Sequence, residues 1–138
     1  MAEEQNIGVV QRGYEAFGRG DIESLLALLD ETITWSTPGP ADLPMAGNRR
    51  GRAGVAEFFQ TLVATVDVLR FEPKQFVAQG DVVVVLGDDT SRVKATGVSI
   101  EFEWVHVFTL RDGKVIAFKE YGDVSALVAE VRSAQAAA

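Results

Sequence analysis

A chain of 138 residues, 47% of them hydrophobic, is expected to form one domain around a single core. Twenty acidic against thirteen basic side chains give a net charge of −7, which opposes binding to nucleic acid or anionic lipid. There is no cysteine and only one histidine, His106, which excludes disulfides and thiolate chemistry and argues against a metal site.

The start of the chain, MAEEQNIGVV, is acidic where a secretory signal is basic. No stretch reaches the roughly 20 apolar residues that a membrane-spanning helix needs. We therefore expect a cytoplasmic protein whose partners include neither a membrane nor a nucleic acid.

The first elements predicted are two helices. Apolar side chains recur at three- and four-residue steps from Glu3 to Phe17, which predicts one face of a helix. Gly18-Arg19-Gly20 ends it, and Asp21 is placed to cap a second helix that buries the leucines of LLALL.

A strand, a loop and a third helix follow. The segment ETITWST predicts a strand with Ile33, Trp35 and Thr37 on one side. Prolines and glycines in PGPADLPMAGNRRG predict a loop over residues 38–51, long enough to act as a lid. The third helix is expected from about Arg52 to Val66.

The second half of the chain alternates like a sheet. VLRFEPKQFVAQ, VVVVLGDDT, VSIEFEWVHVFTL and KVIAFKEY predict four antiparallel strands, with hairpin turns at Gly80-Asp81, Thr96-Gly97 and Asp112-Gly113. Asp123 is placed to cap a short last helix, DVSALVAEVRSA, before an alanine-rich tail that is expected to fray. This order predicts an α+β fold in which helices cover one sheet face.

The orientation of His106 depends on the turn in LRDGK. A two-residue loop at the Asp-Gly pair places His106 opposite Lys119. A bulged turn shifts the second strand by one residue, so that Glu120 lies opposite Trp104 with His106 diagonally adjacent. Hydrophobicity favours the bulged form, because the alternative puts Lys119 on the apolar face.

An imidazole and a carboxylate on one apolar face are candidates for acid/base catalysis. Burial disfavours the carboxylate anion and a nearby imidazolium favours it, so either group can titrate near neutrality. The alternative is structural, because a lone histidine on an apolar strand is often a hydrogen-bonded core residue, with Glu120 as the partner of His106.

Three segments carry a resemblance to a known family. VVQRGYEAFGRGDIESLLALLDETITW, PMAGNRRGRAGVAEFFQTL and VHVFTLRDGKVIAFKEYGD are similar to the SnoaL-like, or ketosteroid isomerase-like, branch of the NTF2-like superfamily over about residues 5–132. The resemblance implies a single SnoaL-like domain over 1–138. It also implies a cone of three N-terminal helices packed on a strongly curved antiparallel sheet around an apolar cavity, a short C-terminal helix, and a homodimer through the outer sheet face.

The catalytic residues of the different enzymes in this superfamily are matched to different degrees in this sequence. Ketosteroid isomerases carry an oxyanion-hole tyrosine where Gly13 stands here and a catalytic aspartate where Thr37 stands, so steroid isomerisation is not expected. Limonene-type epoxide hydrolases match with an acid at Glu120 and another near Asp88 or Asp89, but the arginine between their two acids has no counterpart here. SnoaL-type polyketide cyclases place an aspartate and a histidine at the positions of Glu120 and His106.

These comparisons imply a small-molecule cavity protein. It is expected to be a cofactor-independent acid/base enzyme acting on a small hydrophobic carbonyl or epoxide compound, of the isomerase, polyketide-cyclase-like or epoxide-hydrolase-like type. Glu120 is the expected acid/base and His106 modulates its charge. The alternative is a non-catalytic ligand-binding or dimerisation module. The side chains expected to line the cavity are Tyr14, Phe17, Trp35, Thr37, Phe58, Phe59, Trp104 and Phe118.

Two further groups of charged residues are candidate sites. Arg49, Arg50 and Arg52 could bind an anionic ligand group at the start of the third helix, although a solvated charge run on a loop explains them as well. Asp88-Asp89 could coordinate a hard cation, although turn chemistry between strands is the simpler explanation. Neither group changes the expectation that the protein binds no metal.

Overall fold

The computed structural model describes residues 2–137 and contains both helices and strands. The helices are α1 (Ala2–Gly18), α2 (Ile22–Ala27), α3 (Gly51–Thr65) and α4 (Ser125–Ala137). The strands are β1 (Leu29–Thr37), β2 (Gly47–Arg50), β3 (Val66–Gln79), β4 (Val82–Val93), β5 (Ser99–Arg111) and β6 (Lys114–Gly122). The predicted α+β class is confirmed.

The strands form one open sheet in the order β2-β1-β6-β5-β4-β3. Neighbours run antiparallel, as predicted, except that β1 and β6 are parallel. β1 follows α2 and is not joined to β6 by a hairpin, so these two neighbouring strands are free to run in the same direction. The strands at the two edges are β2 and β3, and β3 carries Pro73, a residue that edge strands tolerate.

Two helices begin just after capping residues that were predicted from the sequence, Asp21 and Asp123. The Asp21 carboxylate accepts a hydrogen bond from Ser24 N at 3.1 Å and starts α2. The Asp123 carboxylate accepts from Ser125 N at 2.9 Å and starts α4, which continues as helix through the alanines to Ala137. Ala138, the end of the tail expected to fray, lies outside the described residues.

The predicted loop over residues 38–51 is only partly a loop. Gly47–Arg50 forms β2, which pairs antiparallel with β1 so that Trp35 is opposite Arg49. The prediction missed this strand because its sequence, GNRR, has no apolar alternation. The segment 38–46 remains irregular, and its Leu43 and Met45 are buried.

The Asp88-Asp89 pair lies inside β4 and not in a turn between strands. Asp88 pairs with Glu72 on β3, and Asp89 pairs with Phe71. The turn prediction was wrong because the alternation of VVVVLGDDT continues through both acids, which places them on opposite faces of the sheet.

The turn between β5 and β6 has the two-residue form. Arg111 pairs with Lys114, and φ is 52° at Asp112 and 77° at Gly113, as in a type I′ turn. The bulged turn favoured from the sequence is therefore wrong.

A bulge farther along β6 changes the register again. Leu110 pairs with Val115, whereas Thr109 pairs with Ala117, so Ile116 is an extra residue in β6. The rest of β6 shifts by one position, and Glu120 lies directly opposite His106 instead of Trp104. Both registers considered from the sequence are wrong at this pair, but the expectation that His106 and Glu120 share a face is confirmed.

The core lies between the inner sheet face and the helices α1 and α3. Ile33, Val55, Val83 and Val85 have no measurable exposure there. Burying each side chain of this size stabilises the fold by about 1.5–3 kcal/mol. Within residues 2–137, the helices are too short or too polar for any of them to cross a membrane.

Candidate functional site

A cavity of about 170 Å³ lies between the inner sheet face and the helices. Its wall is mostly apolar and comes from α1, α2, α3, the segment 38–46, the start of α4 and five of the strands. The side chains on this wall that carry a polar or ionisable group are Tyr14, Trp35, Thr37, Asp89, Ser91, His106, Glu120 and Asp123.

A hydrogen-bonded chain of three side chains forms one part of the wall. The Tyr14 hydroxyl is 2.7 Å from His106 Nδ1, and His106 Nε2 is 2.7 Å from Glu120 Oε2. His106 is 5% exposed, and the side chain of Glu120 is 19% exposed. This hydrogen-bonded network therefore joins α1, β5 and β6, with a buried imidazole between two partly buried ends, Tyr14 and Glu120.

Burial and neighbouring charges determine the protonation states of Tyr14 and His106 in this hydrogen-bonded network. Burial lowers the pKa of His106, and the hydrogen bond and charge of Glu120 oppose that shift. Burial, followed by the charge of Glu120, raises the pKa of Tyr14, so the phenol keeps its proton. When Glu120 is ionised it can only accept, so His106 Nε2 donates to it and Nδ1 accepts from Tyr14. A neutral imidazole of defined tautomer results.

The Trp104 indole packs against one face of the imidazole and holds its orientation. The two rings stack with centroids 3.8 Å apart and an interplanar angle of 12°. Trp104 is 1% exposed and does not belong to the cavity wall, although the sequence placed it there.

Glycines beside Trp104 make room for the large rings of β5. A Cβ on Gly87 would lie 2.6 Å from Trp104 Cζ2, and one on Gly122 would lie 2.5 Å from two atoms of the Phe102 ring. The glycines are therefore required by close approach rather than by a turn.

Asp89 is the second carboxylate of the inner wall. Burial is the main cause that raises the pKa of Asp89 to about 6; the Ser91 hydroxyl, 3.1 Å away, opposes the rise, and the charge of Glu120 adds to it. Its neighbour Asp88 instead forms ion pairs with Arg70 and Lys74, whose hydrogen bonds and charges lower the Asp88 pKa.

Trp35 and Thr37 lie on the wall, as the alternation of β1 predicts. The Thr37 hydroxyl donates to the carbonyl oxygen of Met45 and so ties the segment 38–46 to β1. The Trp35 ring stacks on Phe118 with centroids 3.9 Å apart, and its buried Nε1 has no hydrogen-bond acceptor among residues 2–137. Thr37 is thus occupied within the protein, whereas the indole N–H is not.

The remaining predicted lining residues are aromatic. Phe17, Phe58, Phe59 and Phe118 all border the cavity. They pack on one another and on Trp35, with ring centroids 5.1 Å apart for Phe58 and Phe59 and 5.8 Å for Phe17 and Phe59. They form a continuous aromatic wall.

The arginine cluster is partly engaged with the backbone. Arg49 donates to the carbonyl oxygens of Met45 and Pro44 at 3.1 and 3.0 Å, and Arg52 donates to that of Leu29 at 2.9 Å. Arg52 therefore holds the start of α3 against β1, and Arg49 ties β2 to the segment 38–46.

Sequence reasoning missed two features of this site. Tyr14 was expected as a lining residue, but its bond to His106 joins positions 92 residues apart, which no local pattern reveals. Asp89 was considered only beside Asp88. The alternation Val83, Val85, Gly87, Asp89 was the available signal, since it places Asp89 on the buried face.

Comparison with known proteins identifies relatives of this architecture. The family model for the SnoaL-like domain matches residues 10–118 of the sequence. No curated protein matches the chain.

Solved structures match along nearly the whole length. An NTF2-like protein of Burkholderia xenovorans LB400 is 40% identical, with 94% of this chain and 97% of that chain covered and a TM-score of 0.84. TerC, co-crystallized with polyporic acid, is 29% identical, with 91% and 96% covered and a TM-score of 0.83. A proposed polyketide cyclase of Xanthomonas campestris pv. campestris is 23% identical, with 95% and 99% covered and a TM-score of 0.76, which shows the shared fold.

Proposed function

The chain belongs to the SnoaL-like family, and we propose that it is a cofactor-independent acid/base enzyme acting on a small hydrophobic carbonyl compound. The observation that carries this proposal is the chain Tyr14–His106–Glu120, which ends in a partly open carboxylate on the wall of an apolar cavity. The proposed polyketide cyclase of Xanthomonas campestris, which shares the fold, is consistent with proton transfer next to a carbonyl.

Glu120 is the proposed base. Within residues 2–137, Oε2 is the Glu120 oxygen that takes part in a hydrogen bond, which leaves Oε1 available to a ligand. Oε1 would remove a proton from the carbon next to the carbonyl, the electron pair of that C–H bond would pass to the carbonyl oxygen as an enolate, and Glu120 would return the proton to the ligand.

His106 has a supporting role in this scheme. Its Nε2–H donates to the ionised carboxylate, and this hydrogen bond would weaken when Glu120 takes up the ligand proton, while His106 itself stays neutral. Tyr14 keeps Nδ1 occupied and so fixes the tautomer. The ligand oxygen would accept from the unpaired N–H of Trp35, which lies on the neighbouring strand β1.

One observation favours the second candidate, a non-catalytic ligand-binding module. His106 is almost fully buried and bonded at both nitrogens, as in a structural hydrogen-bond network. In that case the cavity would bind a small hydrophobic ligand and return it unchanged.

Deuterium exchange separates the two candidates. Small ketones would be incubated with the protein in D₂O and loss of the α-proton signals followed by NMR. The enzyme proposal expects protein-dependent exchange that falls by about 100-fold or more in Glu120→Gln, the range of general-base contributions. Glu103→Gln is the matched control, because Glu103 is an exposed glutamate on β5. Binding of the ketones without exchange in the wild type would establish the module instead.

We propose in addition that two copies associate through the outer sheet face, as the family resemblance implies. That face carries Leu86 and Tyr121, which are 38% and 48% exposed. Light scattering on the wild type and on Leu86→Lys tests this, since a charge at that position should convert a dimer to a monomer. A wild-type mass equal to one chain would rule it out.

A further inference from the structure

The charge of the cavity points to a class of ligand. We propose that the ligand carries a positively charged amine group on a small aromatic or apolar body, and that Asp89 and Glu120 bind that group. This inference rests on the proposed function in taking the same cavity as the ligand site, but it requires no catalysis.

The ionisable groups on the cavity wall are predominantly acidic. Asp89 and Glu120 line it from β4 and β6, and Asp123 lines it just before α4. Asp89 accepts from the Ser91 hydroxyl and Glu120 accepts from His106, both neutral donors, so neither carboxylate has a cationic partner. Asp123 accepts from the backbone of Ser125.

The basic side chains nearest the site have partners of their own, and the Arg49 guanidinium lies 5.5 Å from the centroid of the Phe58 ring. Neither lysine nor arginine lines the cavity within residues 2–137. Arg70 and Lys74 pair with Asp88, and Arg49 and Arg52 donate to backbone carbonyls. Burial disfavours the charged form of His106, and Arg70, whose charge acts on Asp89, pairs with Asp88 and Glu72, so neither cavity carboxylate has a lysine or arginine ion-pair partner within residues 2–137. Such charge is costly unless a partner supplies the opposite sign.

The wall suits an organic cation better than a metal ion. Among residues 2–137, histidine and acidic side chains nowhere gather in a group of three or more that could hold a metal. The rest of the wall is aromatic, with Tyr14, Phe71, Phe17 and Phe59 in successive ring contacts. Aromatic faces attract ammonium groups and also accommodate an apolar body.

The volume sets the size of this ligand. An engineered cavity of about 150 Å³ holds benzene, and the cavity here has about 170 Å³. A single aromatic ring with a short aminoalkyl chain therefore fits, and its amine would replace the missing counter-charge.

A matched series of probes tests the charge preference directly. 2-Phenylethylamine, 2-phenylethanol and phenylacetate have nearly the same shape but carry a positive, a neutral and a negative group at pH 7.5. Dissociation constants from NMR titrations should show the amine binding about tenfold or more tightly than the alcohol, and phenylacetate more weakly than either. An alcohol that binds as tightly as the amine, or a preference for phenylacetate, would overturn the proposal.

Neighbouring aspartates provide the control. Asp89→Asn should weaken amine binding by about tenfold and leave alcohol binding within about twofold, because the removed charge acts only on the cation. Asp88→Asn should change neither, since Asp88 lies on the opposite sheet face. Equal losses of amine affinity in both variants would indicate a general surface effect and contradict the assignment to the cavity.

Failure of this inference is distinguishable from failure of the proposed function. If the alcohol binds but the amine has no advantage, the charge proposal falls while the cavity and its chemistry stand. If the amine is preferred but no ketone exchanges its α-protons, the charge proposal stands and catalysis falls. If none of the three probes binds, the charge proposal falls, and the α-proton exchange of the ketones decides the proposed function separately.

Discussion

Glu120 on β6 faces His106 on β5 as a direct cross-strand pair, with 2.7 Å between Oε2 and Nε2. The pair owes its geometry to the extra residue Ile116, because the turn alone would set Lys119 opposite the histidine. A sheet irregularity thus determines which side chain the imidazole meets, and several measurements follow from that contact.

The titration of His106 should depend on Glu120. Burial lowers the pKa of His106, and the hydrogen bond and charge of Glu120 partly restore it. In Glu120→Gln the charge is lost, so the pKa should fall further and the imidazole should remain neutral to a lower pH. NMR of the single histidine between about pH 4 and 8 measures this, with Glu103→Gln as the control. An unchanged His106 curve in Glu120→Gln would disprove the coupling.

Tyr14→Phe should destabilise the protein. The substitution removes the hydroxyl that donates to His106 Nδ1 and leaves a buried acceptor without a partner, at a cost of about 1–3 kcal/mol. Urea denaturation measures the free energy of unfolding, and ¹⁵N shifts of the imidazole should show a mixture of tautomers. Tyr121→Phe, at an exposed position, should change neither quantity. A stable Tyr14→Phe with an unchanged tautomer would mean that the bond contributes nothing.

Asp89→Asn should stabilise the protein at alkaline pH. Asp89 has a pKa of about 6 in the folded state against an ordinary value of 3.8, so folding takes up a proton between these values. The wild type therefore loses stability as pH rises through 6, and the amide avoids that loss. The free energy of unfolding of the variant should exceed that of the wild type at pH 8, and the difference should shrink towards pH 4.

Asp88→Asn gives the opposite expectation and serves as the control. The hydrogen bonds of Lys74 and Arg70 lower the pKa of Asp88, so its contribution is present above the ordinary value and disappears as pH falls. The amide should therefore lose stability at neutral pH. A difference between Asp89→Asn and wild type that stays constant from pH 4 to 8 would contradict the assignment of the titration to Asp89.

Gly87→Ala should disturb the ring that holds His106. Its Cβ would lie 2.6 Å from both Trp104 Cζ2 and the carbonyl oxygen of Glu72, and a backbone atom cannot easily move away. Overpacking of this kind costs about 1–3 kcal/mol. Near-ultraviolet circular dichroism should report the displaced indole. Gly18→Ala, where an added Cβ meets nothing within 4 Å, should leave the spectrum unchanged.

Much of the fold could be predicted from the sequence because local rules determine it. The caps Asp21 and Asp123 and the change from helical to alternating periodicity depend on neighbouring residues, and they were predicted correctly. The strand Gly47–Arg50 was missed because its stability comes from pairing with β1 and not from its own side chains.

The candidate site could be predicted only in part, for the same physical reason. Face alternation was enough to bring His106 and Glu120 together, but the bulge at Ile116 has no sequence signal, and their exact pairing was wrong. The bond from Tyr14 depends on how α1 crosses the sheet, which is set by packing. The alternation of β4 places Asp89 on the buried face, but an Asp-Asp pair is also typical of turns, which hides that signal.

Pro73 limits how copies of this chain can meet. The edge strand β3 is 14 residues long, but its proline offers no N–H and its register is interrupted near Pro73 and again between Val68 and Arg70. The other edge, β2, has only four residues. Both borders therefore resist the strand-by-strand addition of further chains that leads to fibres.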